Sequence, residues 1–118
     1  MTEHNDLPYI KHILDAINDT ENSVKDLSKK EFEESKDVKD ATIRRIEVIG
    51  EAAKNISNKL KENYPNIVWK KITGARDRMI HAYFSVDLDI VWEIVKKDLP
   101  QLKKQIQKIK QYLEAENK

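Results

Sequence analysis

Between Gly74 and Phe84 the chain reads GARDRMIHAYF, and five of these residues carry groups able to act on a phosphodiester: Arg76, Asp77, Arg78, His81 and Tyr83. Cleavage of an RNA strand needs no metal when two groups converge. One takes a proton from the ribose 2′-hydroxyl, and the other holds a positive charge on the phosphate as charge builds in the transition state. Histidine suits the first task, since its unperturbed pKa lies near 6.5. Arginine suits the second, because its fork binds phosphate oxygens in pairs and stays charged. Asp77 and His81 are four apart, a spacing at which two helical side chains touch, so Asp77 can fix the imidazole tautomer. Tyr83 can hydrogen-bond a phosphate or stack on a base. Arg76 and His81 are five apart, roughly 140° around an ideal helix, so convergence on one ligand needs a groove and the length of arginine. The same residues also fit a structural account, in which Arg-Asp-Arg forms a salt-bridged helix face and His81 a satisfied, half-buried histidine.

Other routes to chemistry fail on residue type. The chain has no cysteine, which excludes disulfides and thiolate metal sites and points to a reducing, cytoplasmic setting. Gly-rich phosphate loops and His-Glu-x-x-His pairs do not occur, so neither a metal nor a cofactor is expected. His4 falls in the terminal segment, and His12 lies off the apolar stripe beside Lys11. No apolar run approaches the roughly 20 residues that cross a bilayer, and the N-terminus lacks the pattern of a signal segment. Net charge is +1, divided unevenly. Residues 1–40 hold 6 Lys against 11 Asp+Glu, and residues 41–118 hold 16 Lys+Arg against 10 Asp+Glu. The division fits two oppositely charged solvated faces, or a basic half that meets a phosphate-bearing partner.

The elements that position the cluster are helices. With 118 residues, the chain suits one domain, 1–118. Two glycines and three prolines are too few for the turns of an all-β chain. Ile10, Ile13, Leu14 and Ile17 recur at helical spacing, which predicts a first helix from Leu7 to about residue 27, capped by Asp6 with Pro8 in its first turn. Ser28 to Glu31 reads as a capping box opening a short helix around Phe32. A second long helix is expected from about Asp37 to Asn63, with Gly50 inside it. Pro65 ends it, a short helix carries Trp69 and Ile72, and Thr73-Gly74 breaks that one. A helix from about Ala75 to Tyr83 holds the polar cluster, and Asp87 caps the next. Asp98 is expected to cap, with Leu99 first and Pro100 in the first turn, and Pro100 either begins a fresh helix or kinks a continuing one. The final apolar stripe is Leu102, Ile106, Ile109 and Leu113. The expected fold is all-α, a compact antiparallel bundle of four to five main helices, with the acidic first helix beside the basic last one.

The pattern Arg76-x4-His81-x-Tyr83 resembles the Arg-x4–6-His signature of the HEPN superfamily, and more closely the Arg-x4-His-x-Tyr form of the HepT-like toxins. The preceding IRRIEVIGEAAKNIS (Ile43 to Ser57) and the stretch from YPNIVWKK to VDLDIVWEIVKKDLPQL are similar to that family in order and spacing, so the likeness runs over roughly residues 6–112. The resemblance implies a HEPN-like bundle that dimerises, with each active site drawing on both chains. It implies a metal-independent endoribonuclease in which Arg76 and His81 are catalytic and Asp77 and Tyr83 support them. It also implies a partner, an MNT-type nucleotidyltransferase antitoxin that transfers AMP units onto Tyr83. Phosphates added beside Arg76 and His81 would occupy the positive site and repel RNA. The same cleft also fits an alternative, a non-catalytic module that binds nucleotides or the nucleotidyltransferase.

Overall fold

The computed structural model describes residues 5–75, 77–79 and 87–116, and those residues are all-α. Helix α1 (Leu7–Val24) buries Ile10, Ile13, Leu14, Ala16, Ile17, Thr20 and Val24 along one stripe. Helix α2 (Lys29–Glu34) is short, α3 (Lys36–Lys54) is long, and α4 (Asn58–Asn63) and α5 (Trp69–Thr73) are short again. After the segment at 74–79 come α6 (Leu88–Glu93), a π-helical turn (Ile94–Asp98) and the long α7 (Leu99–Glu116).

Two contacts set the direction of packing. Asp6, at the start of α1, reaches Ser57, just past the end of α3, so α1 and α3 run opposite ways. Glu21, near the end of α1, meets Lys103, near the start of α7, at 2.8 Å, so that pair is also antiparallel. The acidic first helix and the basic last helix are therefore neighbours, as the charge pattern implies. Their seam holds Ile10, Ile13, Ile17, Ile106 and Ile109, all fully buried. Burying each such side chain is worth about 1.5–3 kcal/mol, and α1 packs even more extensively along α3. The core continues without a break through Ile46, Ile49, Ala53, Leu60, Met79, Val91 and Val95.

The capping box at Ser28 forms as its residues dictate: Ser28 Oγ accepts from the Glu31 amide, and the Glu31 carboxylate accepts from the Ser28 amide. These hydrogen bonds hold the Glu31 carboxyl below the usual carboxylate range. They start α2 so that Phe32 is buried against Trp92 of α6, with ring centroids 5.1 Å apart. Lys96 lies over the Trp92 ring, its Nζ 4.7 Å from the centroid. Lys29 pairs with Asp89 across the same junction, which raises the Lys29 pKa.

Four local expectations are corrected. First, α1 ends at Val24, with Leu27 beyond it half-buried. Second, Asp6 does not cap α1: its backbone is already helical, and its carboxylate accepts from the Ser57 amide at 2.8 Å and the Ser57 hydroxyl at 2.7 Å. Third, the helix expected over 37–63 is two helices. Asn55 closes α3, Ser57 turns extended, and its hydroxyl accepts from the Leu60 amide to start α4. A serine N-cap competes with helix continuation because its side chain offers the backbone another partner. Here Asp6 holds that serine in place. Fourth, Asp98 is not a cap. The chain stays helical from α6 into α7 through the π turn, in which the Leu99 amide donates to the Ile94 carbonyl. A proline in a helix clashes with the carbonyl four residues back and lacks a donor for it. The wider turn just before Pro100 relieves both problems, and such π turns concentrate at functional sites.

Candidate active site

The polar cluster follows directly from α5. Trp69 opens α5, and its indole N–H donates to the Tyr64 carbonyl at 3.1 Å, which ties α5 to the end of α4. Gly74 closes α5 yet keeps ordinary right-handed backbone angles. Its amide donates to the Lys70 carbonyl, and its own carbonyl accepts from the Arg78 amide. The chain therefore turns from α5 into Ala75, Asp77, Arg78 and Met79 with its hydrogen bonds satisfied. Ala75 and Met79 are one helical turn apart and both buried, so they are the anchor of this segment. Asp77 faces solvent, and Arg78 is half-buried.

Arg76, His81 and Tyr83 lie outside the described residues, and the expected Asp77–His81 contact falls outside with them. Of the predicted site residues, Asp77 is the one described, on the exposed side of the anchored segment. Among the described residues no helix is long and apolar enough to cross a membrane, and no group of three His, Cys, Asp or Glu is gathered as a metal site.

Beside this segment lies a cleft of about 160 Å³. Its floor is apolar, built from Ile46 and Ile49 of α3, Ile72 of α5, Ile94, and Leu99 and Leu102 of α7. Ala75, Arg78, Gln101 and Gln105 also line the cleft. Lys71 and Asp98 are paired at 3.4 Å and join α5 to the π turn at its edge. That pair is about half exposed, so it contributes at most about 1 kcal/mol. Val68, at the entrance, is 64% exposed. A cleft lined mostly by apolar side chains, with Arg78 and two glutamines among them, suits a ligand with an apolar body and a charged, hydrogen-bonding edge.

Sequence reasoning singled out Arg78 as part of the polar set but did not place Lys71, Asp98, Gln101 and Gln105 around it. Gln101 and Gln105 are four apart on one helix, and that spacing is the local signal that both border the same cleft. Nothing local pairs Lys71 with Asp98, 27 residues along the chain.

Comparison with known proteins gives the same family the sequence resembles. The family model described as "HepT-like: Ribonuclease HepT-like" matches residues 13–109. A Methanocaldococcus jannaschii protein, named as a gamma-glutamylcyclotransferase and candidate RNase, is 47% identical over 106 residues. The match takes in 90% of this chain and 48% of that protein, so the chain spans about half its length. A second protein of that organism, named as a candidate RNase, is 39% identical over 99 residues, covering 84% of this chain and 91% of the relative. The "Probable ribonuclease HepT" of Thermococcus cleftensis is 39% identical over 102 residues, covering 86% and 93%. No solved structure matches the chain.

Proposed function

We propose a function from one established premise: the chain belongs to the HepT-like ribonuclease family. It is a metal-independent RNA endonuclease, acting as one catalytic domain over 1–118 in the cytoplasm. The observation that carries the reading is that Arg76-x4-His81-x-Tyr83 lies inside the matched residues 13–109. His81 accepts the proton of a ribose 2′-hydroxyl, and that oxygen attacks the adjacent phosphorus. The bond to the 5′-oxygen of the next nucleotide breaks, and that oxygen takes up a proton. The products are a 2′,3′-cyclic phosphate and a 5′-hydroxyl. Arg76 holds the phosphate oxygens as their charge grows. Asp77, exposed on the same segment, accepts from the His81 ring and sets its tautomer. Tyr83 contacts the phosphate or stacks on a base.

In this reading the chain is the toxin of a type II toxin–antitoxin system and acts as a homodimer whose two motifs face one cleft. An MNT-type nucleotidyltransferase encoded nearby neutralises it by AMPylating Tyr83. The added phosphate sits against Arg76 and repels the RNA backbone.

The test is direct. Purified protein is incubated with RNA in EDTA, and the ends of the products are analysed. Cyclic phosphate and 5′-hydroxyl ends are expected, and His81→Ala or Arg76→Ala lowers the rate by at least about 10²-fold. Cleavage that survives both substitutions removes the assigned roles. Tight nucleotide binding without cleavage by the unaltered chain favours the non-catalytic alternative. Growth arrest in cells only when the nucleotidyltransferase is absent supports the toxin assignment, and equal growth with and without it removes that assignment.

A further inference from the structure

The cleft beside the motif segment opens onto α7, and the surface there has an unusual composition. From Leu99 to Leu113, α7 carries Lys103, Lys104, Lys108 and Lys110 and no acidic residue. The side facing the core is Leu99, Leu102, Ile106 and Ile109, all buried. The opposite side is Gln101, Lys104, Lys108 and Gln111, spaced 3, 4 and 3 apart and all exposed. Lys103 stands apart from that row, committed to Glu21 of α1 at 2.8 Å. No described residue pairs with Lys104 or Lys108. The stripe begins at the cleft itself, because Gln101 and Gln105 line it together with Arg78. One surface therefore runs from the segment carrying Arg78, over two amides, to two unpaired ammonium groups. It extends about 15 Å along α7 from Gln101 to Gln111.

We propose that this face of α7 holds the backbone of the RNA strand on one side of the cut, with Lys104 and Lys108 each neutralising a phosphate. The inference rests on the ribonuclease reading and adds residues to it. The chemistry matches in three respects. The groups are cations with no partner among the described residues. Their neighbours on the stripe are neutral amides, which hydrogen-bond phosphate and sugar without repelling them. Lys104 and Lys108 are one turn apart, about 6 Å along the axis, a step that follows an extended strand. Contacts of this kind position a strand without reading its sequence.

The experiment measures binding without cleavage. A mixed-sequence 2′-O-methyl RNA strand lacks the attacking hydroxyl, so its affinity for the full chain is measured in EDTA across a salt series. The variants are Lys104→Gln/Lys108→Gln and, as a charge-matched control at exposed sites elsewhere, Lys30→Gln/Lys36→Gln. Each phosphate contact on a single strand contributes about 0.7 to the slope of log affinity against log salt. The α7 variant is expected to lose about 1.4 from that slope. Over a fourfold rise in salt, the unaltered protein then loses about sevenfold more affinity than the variant. The control changes the slope by much less. An α7 variant with the unaltered slope overturns the proposal, and so does a control that falls equally, since bulk charge then explains the effect. A variant that weakens nucleotidyltransferase binding while keeping its RNA slope also overturns it, by giving the face to a protein partner. If the unaltered chain cuts ordinary RNA while the α7 slope is unchanged, the ribonuclease reading stands and this inference alone fails. A chain that neither binds nor cuts RNA removes both.

Discussion

The contact between Asp6 and Ser57 gives a prediction with a calculable size. The Asp6 carboxylate accepts two hydrogen bonds, at 2.8 and 2.7 Å, from residues 51 positions away. It thereby fixes Ser57 in the extended conformation that caps α4. Hydrogen bonds to a charged group are worth about 1.5–3 kcal/mol each. Both partners are half-buried, so water replaces part of each bond once the carboxylate is gone. Asp6→Ala should therefore cost about 2 kcal/mol in total. For a chain of 118 residues the unfolding entropy is about 0.25 kcal/mol/K, which turns that loss into a Tm about 8 °C lower. Urea unfolding followed by circular dichroism gives the same quantity through its midpoint. A double-mutant cycle with Ser57→Ala should show coupling of about 1 kcal/mol, because that change removes the shorter bond and leaves the amide. A loss under about 0.5 kcal/mol for Asp6→Ala, or strict additivity in the cycle, would refute the claim that this contact pins the junction of α3 and α4. The junction matters to the site because α4 leads through Tyr64 and Trp69 into α5 and the motif segment.

Other outcomes follow from individual groups. Thr42 is fully buried, and its hydroxyl has no hydrogen-bond partner among the described residues, so Thr42→Val should raise stability by about 1 kcal/mol in chemical denaturation. Thr20 is equally buried, but its hydroxyl donates to the Ala16 carbonyl at 2.8 Å, so Thr20→Val should lower stability by about 1 kcal/mol; like signs for the two changes would contradict the hydrogen-bond assignment. The Glu31 carboxyl is held below its ordinary range by Ser28. Its contribution is therefore complete above the unfolded-state value and fades as pH falls through the folded-state value. A Tm profile across acidic pH should lose that part of its slope in Glu31→Gln, and an unchanged profile would refute the assignment.

Much of the fold was legible because it rests on short-range pattern. The stripes of α1 and α7 recur at helical spacing, and those residues are buried, with Leu113 half-buried. The Ser28 capping box and the Asp87 cap are local hydrogen bonds between residues three apart, so residue type and spacing suffice to predict them. The candidate site was legible as a motif for the same reason, since Arg76, Asp77, His81 and Tyr83 sit within eight positions. Where sequence reasoning failed, the deciding partner was remote. Asp6 is an ordinary N-cap by sequence, and Ser57, brought close by the packing of α1 on α3, claims its carboxylate instead.

By itself the sequence determined the all-α class, the buried stripes, the acidic and basic division of the chain, and a motif whose residue types suit phosphodiester chemistry. The stripes and the motif depend on neighbours within a helical turn or two, where geometry is set by the backbone repeat, and the class and charge division follow from residue counts. Tertiary structure alone decided that the long middle helix breaks at Ser57 and that Lys71, Arg78, Asp98, Gln101 and Gln105 border one cleft. Those outcomes depend on groups far apart in the chain competing for the same hydrogen bonds and the same space, a competition that is resolved only when the helices pack.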